Sequence, residues 1–543
     1  MFLGRAHLGS YQALVDDALA RLQRQDAVRR LWLHDHTLWK QEPTEIVDRL
    51  GWLRVTEGMR REVAGLRDFA RDVRREGFRH AVVLGMGGSV LGAEALRQAF
   101  GNTQGSPAIA ILDSTVPAWV AAVTQAVDPA RTLFLVSSKS GTTVELLSFY
   151  RHFRRLTEDA VGPGKAGGHF VAITDPSTPL ERLAQEQGFR RVFLNPQDIG
   201  GRYSVLSLFG LLPAALMGAD LEALLARADA MRGACGPQTQ ATDNPGAWLG
   251  AAMAALALRG RNKLTLVVSP AIASFGLWAE QLIAESTGKE GKGIVPVAGE
   301  PLASPAAYGD DRFFVRLRLE GDDNVSADRM MDSLTAAGQP VAAIGLRDRY
   351  DLGAEFFRWE FATALAGHLL GVHPFDQPDV QGAKEATDRL LARRRNFGSL
   401  PGVGSATNLQ ELLGQARPGD YLAIMAYLHQ APELDQALSE LRLRVMTKYR
   451  IATTLGYGPR LLHSTGQLHK GGPNQGLFLQ ITQSHAQDIP LSGEEYTFGT
   501  LADAQALGDL HALQAGGRRV ARMHLAAGYA VRLLRRLAEE VGE

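Results

Sequence analysis

The sequence predicts an α/β protein built on two doubly wound parallel sheets, with helical additions at both ends of the chain. Short apolar runs typical of buried strands alternate with helical segments at short intervals, as in parallel strands joined by crossover helices. The alternation begins near residue 81, pauses at a polar, helix-breaking segment at residues 233–245, and then resumes. The chain has 543 residues, too many for one hydrophobic core, so two or three domains are expected.

We expect four segments along the chain. Residues 1–76 are expected to be helical, because apolar residues recur at helical spacing in residues 11–31. Residues 77–235 are predicted to form the first α/β domain and residues 245–392 the second. Residues 393–543 are interpreted as a C-terminal α/β extension that completes the second domain.

The composition argues against several classes of protein. Lys plus Arg and Asp plus Glu both number 58, so the net charge is zero, and neither nucleic acid nor a membrane is an expected partner. Cys235 is the only cysteine, which excludes a disulfide within the chain and favours a reducing cytoplasm. The N-terminus lacks the pattern of a signal peptide, and the longest apolar helical stretch, residues 246–258, is too short to span a bilayer.

The predicted strands of the first domain end in loops that can bind an anion. These strands are at residues 81–84, 109–113, 133–136, 170–175 and 191–194. Ligands of parallel α/β sheets bind at the carboxyl ends of the strands. The first such loop has the sequence Gly-Met-Gly-Gly-Ser and precedes a predicted helix at residues 91–100. It lets backbone N–H groups approach an anion at the start of that helix.

This glycine loop, residues 85–89, also suggests an NAD-dependent enzyme as an alternative. Gly85 and Gly87 match part of a dinucleotide fingerprint. The third glycine, however, falls at Gly88, and Asp113 comes late for the acidic residue of that fingerprint. The NAD alternative depends on this imperfect match alone.

The loop at residues 138–143, Ser-Lys-Ser-Gly-Thr-Thr, has the composition of a phosphate site. It lies between a predicted strand and a helix that begins at Val144, where free N–H groups and the helix dipole favour an anion. It has four hydroxyl residues and one of only nine lysines in the chain. It does not match a Walker A loop. The alternative is an ordinary turn in which Thr142 or Thr143 is simply the N-cap.

Two charged residues are further candidates for a functional site. Arg202 follows two glycines, an arrangement that can aim its planar guanidinium at an oxyanion. Gln281 and Glu285 are four residues apart, so they share one face of a predicted helix, and Glu285 is a candidate general base. The alternatives are a surface arginine in a helix turn and a solvated glutamate at a helix end.

The second half of the chain continues the α/β alternation with one interruption. Residues 393–417 are predicted to be a loop, and residues 457–476 are rich in glycine and histidine. Strands are predicted at residues 264–269, 313–319, 341–345 and 476–481, and helices at residues 245–258, 354–370, 421–449 and 520–541.

Taken together, these motifs resemble those of phosphoglucose isomerase, a family in the superfamily of sugar isomerase (SIS) domains. The resemblance extends from about residue 81 to residue 384, with a further piece near His463, and implies two SIS-like domains. Five motifs carry it, at residues 85–89, 138–143, 201–204, 281–289 and 375–384.

The resemblance implies a role for each of these motifs. Glu285 would carry a proton between C1 and C2 of the sugar through a cis-enediol, and Arg202 would stabilise the negative charge of that intermediate. Lys384 and a histidine would open the pyranose ring. No metal and no nucleotide cofactor is implied. The residues implied to bind the sugar phosphate are Gly88, Ser89, Ser138, Lys139, Ser140, Thr142, Thr143, Gly201, Gln281 and Gln377.

The expected ring-opening histidine departs from the order of motifs in the family. There it lies between the glutamate and lysine motifs and comes from the partner subunit. Here that interval offers only His368 and His373, neither in the right context, whereas the pattern His-x-x-x-Gln begins at His463, with His469 behind it. This order is similar to the isomerase half of fused transaldolase–phosphoglucose isomerase enzymes. The resemblance thus allows a homodimer and a fused or associated transaldolase, and it leaves open whether His463 acts in its own chain.

The sequence therefore favours a reversible aldose–ketose isomerase acting on glucose 6-phosphate and fructose 6-phosphate. One alternative is a dual isomerase that also accepts mannose 6-phosphate. Another is a regulator that binds sugar phosphates without catalysis; such a protein would be expected to lack Glu285 or Lys384, and both are present.

Overall fold

Three β-sheets form the framework of the chain in the computed structural model, which describes residues 5–397, 400 and 408–542. The strands are β1 Arg5–His7, β2 His80–Leu84, β3 Ala108–Leu112, β4 Thr132–Ser137, β5 Phe170–Thr174, β6 Arg191–Leu194, β7 Lys263–Val268, β8 Val295–Ala298, β9 Arg312–Leu319, β10 Val341–Leu346, β11 Tyr421–Tyr427, β12 Ala452–Tyr457, β13 Gly476–Gln483 and β14 Arg519–Leu525.

Helices connect the strands along the described residues. They are α1 Gln12–Arg24, α2 Ala27–Trp32, α3 Val55–Arg75, α4 Leu91–Phe100, α5 Pro117–Ala126, α6 Val144–Val161, α7 Pro163–Ala166, α8 Pro179–Glu186, α9 Leu208–Met217, α10 Leu221–Ala234, α11 Pro245–Ala257, α12 Ser274–Thr287, α13 Val325–Ala336, α14 Leu352–Leu370, α15 Gln381–Phe397, α16 Leu409–Leu413, α17 Pro432–Tyr449, α18 Gly466–Gly471, α19 Phe498–Ala515 and α20 Ala530–Gly542. Among the described helices, none combines the length and the apolar character needed to cross a bilayer.

The strand orders confirm the predicted α/β class. The first sheet has the order β3-β2-β4-β5-β6 and is parallel throughout. The second sheet has the order β1-β10-β9-β7-β8 and is parallel except for β1, which runs antiparallel to β10. In the first sheet, and among the parallel strands β7–β10 of the second, the chain starts near the middle and then extends the sheet in each direction, which is a doubly wound arrangement. Strand β1 is added at the edge of the second sheet.

The C-terminal extension forms a third sheet. Strands β12-β11-β13-β14 are all parallel and add no strand to the second sheet. The strands within residues 393–543 thus form a sheet of their own, and the expectation that these residues complete the second domain stays a prediction. The outer limits of the domains stay a prediction.

The first sheet lies between two hydrophobic cores. Side chains alternate between the faces of a strand, so neighbouring residues of β2 and β4 pack on opposite sides. Val83 and Leu135 belong to a core shared with the second sheet and its helices. Val82 and Phe134 belong to another core, which includes Leu479 of the third sheet. The first sheet is thus apolar on both faces, as expected for a parallel sheet.

Several predicted elements differ from the structure in the C-terminal part. The single helix predicted over residues 421–449 is wrong, because β11 occupies the first part and α17 begins only at Pro432. A short apolar run fits a buried strand or a buried helix equally well, and Pro432 marks the true first turn of the helix. The helix predicted over residues 520–541 is wrong in its first part, which forms β14.

Other differences concern short elements that the sequence analysis did not predict. The N-terminal segment contributes β1 to the second sheet, and β8 and β12 were not predicted. The loop predicted over residues 393–417 contains the end of α15 and the whole of α16. Residues 398–399 and 401–407 of that loop lie outside the described residues.

A buried ionic cluster joins the second and third sheets. The Glu300 carboxylate accepts hydrogen bonds from both terminal nitrogens of Arg312 on β9, at 2.7 and 3.1 Å. The same carboxylate accepts from the backbone N–H of Thr453 on β12 at 2.7 Å. Arg442 on α17 donates to the Gly299 carbonyl at 2.7 Å. Because Arg312 has no exposed surface, its charge depends on nearby carboxylates for compensation. Glu300 is hydrogen-bonded to it, and the Asp311 carboxylate lies farther away, at 3.8 Å from Nε.

Glu300→Ala is expected to lower the free energy of unfolding by about 3–5 kcal/mol, because it leaves the Arg312 guanidinium buried without its carboxylate. Urea unfolding followed by circular dichroism measures the loss. The control is Glu222→Ala, which removes an ion pair to Arg67 whose side chains are 66% and 47% exposed, and should cost less than about 1 kcal/mol. Equal losses in the two variants would contradict the role of the buried cluster.

Candidate active site

A cavity of about 780 Å³ lies at the carboxyl ends of the strands of the first sheet. The loops that follow β2, β4 and β5 line it, so it includes the point between β2 and β4 where the strand order reverses. Among the residues predicted to form the site, those lining this cavity are Gly88, Ser89, Ser138, Lys139, Ser140, Thr143, Gly201, Arg202, Gln281, Glu285, Gln377, Lys384 and His463.

Thr142 is the one predicted site residue that does not line the main cavity. It lines a neighbouring cavity of about 360 Å³, which shares Lys384 and His463 with the first. The Thr142 hydroxyl lies 3.0 Å from the Ser140 hydroxyl. Thr142 therefore belongs to the hydroxyl loop but faces the neighbouring cavity.

The glycine loop after β2 is shaped by close packing. Gly87 has a φ of +52°, and a Cβ atom there would lie 2.6 Å from the carbonyl oxygen of His463 and 3.0 Å from Nε2 of Gln281. A Cβ atom on Gly88 would collide with the backbone of Gly201. Glycine is thus required because three other segments meet this loop, a requirement unrelated to dinucleotide binding.

The hydroxyl loop after β4 retains groups that can bind an anion. The backbone N–H of Gly141 donates to the Ser138 hydroxyl at 3.0 Å, and that hydroxyl lies 3.2 Å from the hydroxyl of Thr143. Thr143 occupies the N-cap position of α6, but its side chain makes no capping hydrogen bond. The simple capping alternative therefore does not account for Thr143. The start of an 18-residue helix faces the cavity beside these hydroxyls, which favours an anion there.

Lys139 lies on the wall of the cavity and is already paired. Its ammonium group donates to the Asp175 carboxylate and, at 2.8 Å, to the carbonyl of Gln197. Burial raises the pKa of Asp175, although the neighbouring ammonium acts in the opposite direction. Lys139 thus holds the hydroxyl loop against the loops after β5 and β6.

Glu285 presents its carboxylate to the cavity from the last turn of α12. Its side chain is 12% exposed. Oε2 accepts a hydrogen bond from Gln281, four residues earlier on the same face of the helix, at 3.1 Å, and lies 3.3 Å from Nη1 of Arg202. A second oxygen remains to face the cavity, as a general base requires.

Arg202 is buried and held by four neutral acceptors. Nε donates to the Ser286 hydroxyl at 3.0 Å, and Nη1 donates to Gln377 at 2.9 Å. Nη2 donates to the carbonyls of Pro374 at 3.1 Å and Asp376 at 2.7 Å. The alternative of a surface arginine is therefore wrong. A charge fixed in this way needs little rearrangement when negative charge develops nearby.

His463 lies in the cavity of its own chain and is oriented by Glu145. Its Nε2 is 2.8 Å from Oε1 of Glu145, which also accepts from Gln505 at 2.6 Å. Thr115 in turn donates to Gln505 at 2.7 Å. Burial alone would raise the pKa of Glu145, but the His463 ring and the Lys384 ammonium hold that pKa below its usual range. Glu145 therefore faces His463 as a carboxylate at neutral pH.

Sequence reasoning missed Glu145 and Lys289. Glu145 is 318 positions from His463, so only its place in the first turn of α6, directly after the hydroxyl loop, could have drawn attention to it. Lys289 ends the glutamate motif and donates to Oδ1 of Asp376 at 2.6 Å and to the carbonyl of His373. Burial, together with the Arg202 guanidinium, lowers the pKa of Lys289 to about 7.

The other candidate histidines do not line the cavity. His368 and His373 contact backbone carbonyls of the N-terminal segment, those of Leu38 at 2.6 Å and Thr44 at 3.0 Å. His469 is buried elsewhere, and burial lowers its pKa to about 3. Among the described histidines, His463 alone lines the cavity.

Comparison with known proteins matches the chain to one family. A family model described as phosphoglucose isomerase matches residues 66–292. The chain is similar to a glucose-6-phosphate isomerase of Rubrobacter xylanophilus, at 32% identity over 405 residues that cover 64% of this chain and 91% of the relative. It is also similar to one of Heliobacterium modesticaldum, at 31% identity over 433 residues that cover 70% and 94%.

Two solved structures share the fold. A hypothetical protein from Thermus thermophilus superposes with a TM-score of 0.59 and 26% identity, covering 73% of this chain and 100% of that one. A glucose-6-phosphate isomerase from Chlamydia trachomatis superposes with a TM-score of 0.52 and 18% identity, covering 72% and 85%. At 18% identity the second likeness concerns the fold alone.

Gly87→Ala is expected to lower the free energy of unfolding by about 2–4 kcal/mol, since the new methyl group meets the His463 carbonyl and the backbone is already at positive φ. The matched control is Gly188→Ala, at a φ of +64° with no atom within 4 Å, which should cost only about 1 kcal/mol. Thermal unfolding gives both values. If the two variants lose the same stability, the close contact at Gly87 is not a constraint.

Proposed function

Because the chain belongs to the phosphoglucose isomerase family, we propose that it is a glucose-6-phosphate isomerase, which interconverts glucose 6-phosphate and fructose 6-phosphate. The observation that carries the proposal is the Glu285 carboxylate beside the buried Arg202 guanidinium, in a cavity that also holds an anion-binding loop and a carboxylate-bound histidine. Isomerisation of a sugar phosphate needs these groups together.

The hydroxyl loop would anchor the phosphate. Ser138, Ser140 and Thr143 line the cavity at the start of α6. The hydroxyls and the first N–H groups of the helix can donate to the phosphate oxygens, which fixes the far end of the sugar. Ser89, at the start of α4, would donate from the opposite loop.

Ring opening would use His463 and Lys384. The anomeric hydroxyl must lose a proton while the ring oxygen gains one, so two proton-transferring groups are needed. His463 and Lys384 line the same two cavities, and Glu145 fixes the orientation of the imidazole. This arrangement supports His463 of the same chain as the ring-opening histidine.

Isomerisation of the open chain would use Glu285 and Arg202. Glu285 removes the proton from C2 of the aldose and returns it to C1, and the reverse reaction uses the same steps. The intermediate is an enediol whose oxygens carry developing negative charge. Arg202 lies 3.3 Å from the Glu285 carboxylate, so it can stabilise that charge. Gln281 and Gln377 would bind the sugar hydroxyls.

Several finer points remain part of the proposal. A homodimer and a fused or associated transaldolase are suggested by the resemblance of the sequence, as is a cytoplasmic location. Activity without metal or cofactor is expected for the same reason. A coupled assay of fructose 6-phosphate conversion with EDTA present and no added cofactor tests this. Absence of turnover together with tight binding of fructose 6-phosphate by calorimetry would favour the regulator.

Glu285→Gln is expected to lower kcat by about a thousandfold or more while KM changes less than about threefold, because only the proton carrier is removed. The coupled assay measures both constants. The control is Glu290→Gln, which alters an exposed ion pair to Lys40 and should leave kcat unchanged. Ordinary turnover in Glu285→Gln would show that another group is the base.

Glu145→Gln is expected to lower kcat by about 10- to 100-fold, because a neutral amide orients the His463 ring less firmly and no longer compensates a protonated imidazole. Glu433→Gln is the control, since both glutamates lie in the first turn of a helix and Glu433 is exposed and does not line the cavity. If both variants keep full activity, Glu145 does not position His463.

A further inference from the structure

Gln467, on α18, joins the three segments that carry Glu285, Lys384 and His463. We propose that Gln467 and Asp379 form a clamp that positions Lys384 relative to His463 for ring opening; this inference rests on the proposed isomerase function. The clamp would make Gln467 a positioning residue, because it does not line the cavity.

The hydrogen bonds of the clamp are reciprocal. Oε1 of Gln467 accepts from the backbone N–H of Asp379 at 2.9 Å, and Nε2 donates to Oδ2 of Asp379 at 2.5 Å. Nε2 also donates to the Gly288 carbonyl at 3.0 Å. Gln467 has no exposed surface, so breaking these bonds would leave unpaired polar groups inside the protein.

Each partner of Gln467 belongs to a segment that carries a predicted catalytic group. Asp379 lies in the short helical turn Pro378–Val380, directly before α15, and Lys384 lies in the first turn of α15. Gly288 follows the end of α12, three residues after Glu285. His463 precedes Gln467 by four residues. The Gln467 side chain thus connects the backbone segments that carry Glu285, Lys384 and His463.

Lys384 depends on this support more than its neighbours do. The side chains of Arg202 and His463 are held in place by hydrogen bonds to neighbouring residues. Lys384, in contrast, is exposed and makes no hydrogen bond or ion pair to a described residue. The start of α15 therefore sets where the backbone of Lys384 lies, and the Glu145 carboxylate attracts its ammonium group. A shift of about 1 Å there is enough to slow a proton transfer strongly.

The packing around the clamp leaves little room for adjustment. A Cβ atom on Gly288 would lie 2.5 Å from Cα of Leu468, and one on Gly471 would collide with Asp379. The backbone N–H of Gly291 donates to the Gly471 carbonyl at 2.9 Å. Because α18 is fixed against the end of α12 in this way, the hydrogen bonds between Gln467 and Asp379 also fix the start of α15 relative to α12.

The test first replaces the amide of the clamp by a carboxylate and then exchanges the two groups in a double variant. Gln467→Glu places two carboxylates in direct contact, so that one of them must hold a proton. Arg518 is a charged neighbour that interacts with Asp379, and its charge is the same in every variant. We expect kcat at pH 8 to fall by about 10- to 100-fold, as for other groups that orient a catalytic residue, and to recover towards about pH 6. KM should change less than about threefold, since the phosphate loop is untouched.

The double variant Asp379→Asn with Gln467→Glu restores an amide–carboxylate pair with the roles reversed. The carboxylate introduced at position 467 does not restore the hydrogen bond to the Gly288 carbonyl, so kcat is expected to recover only to within about tenfold of the unchanged protein. The pH dependence that Gln467→Glu introduces should disappear. Binding of sorbitol 6-phosphate, an open-chain probe that needs no ring opening, should be the same in all variants. The control is Gln436→Glu, which places a second carboxylate beside Glu440 on an exposed face of α17. This variant should leave kcat, KM and their pH dependence unchanged.

The outcomes separate the clamp from the proposed function. If the unchanged protein does not isomerise fructose 6-phosphate, the proposed function fails, and the clamp with it. If that protein is active and Gln467→Glu is equally active at pH 8, the clamp is overturned and the function stands. A folded Gln467→Glu variant that binds sorbitol 6-phosphate but is rescued neither by pH 6 nor by Asp379→Asn also overturns the clamp.

Discussion

Burying the permanent charge of Arg202 is the constraint on which the rest of the site depends. A guanidinium cannot lose its proton, so each of its N–H groups must find an acceptor inside the protein. Ser286 and the carbonyls of Pro374 and Asp376 supply them, which ties the end of α12 to the turn before α15. Glu285 and Gln377 are placed by the same arrangement, because both lie next to these acceptors in the chain. The positions of Glu285, the proposed base, and of the Arg202 guanidinium are therefore set together.

The third sheet shares a hydrophobic core with the first sheet, and the segment after its strand β12 carries His463 to the site. The hydrophobic core that contains Val82 and Phe134 of the first sheet also contains residues of the C-terminal strands. That packing brings the segment after β12 to the glycine loop, where Gly87 leaves room for the His463 carbonyl. Apolar burial thus helps to bring His463, the proposed ring-opening group, to the cavity, and the same packing places Gln467 beside Asp379.

The sequence was sufficient to predict the fold class and most of the site, because each motif follows a strand or sits on a regular helix. Ser138 stood out by its local context, a hydroxyl-rich loop between a strand and a helix, whereas Glu285 was singled out as the base by the family resemblance. Glu145 could not be recognised, since its meaning depends on a histidine 318 positions away. The error over residues 421–449 has a different cause: an apolar run of seven residues has no periodicity that separates a buried strand from a helix. The short strands β1, β8 and β12 carry too few residues to show a pattern.

The location of His463 has a consequence for how activity responds to protein concentration. A catalytic site shared between two subunits disappears when dilution separates them, so its specific activity falls as the enzyme becomes scarce. Here the groups brought to the cavity, including the histidine, belong to a single polypeptide. If His463 acts in its own chain, as proposed, turnover per molecule should be the same in dilute and in concentrated solution. Association of subunits could then affect stability or location without affecting catalysis.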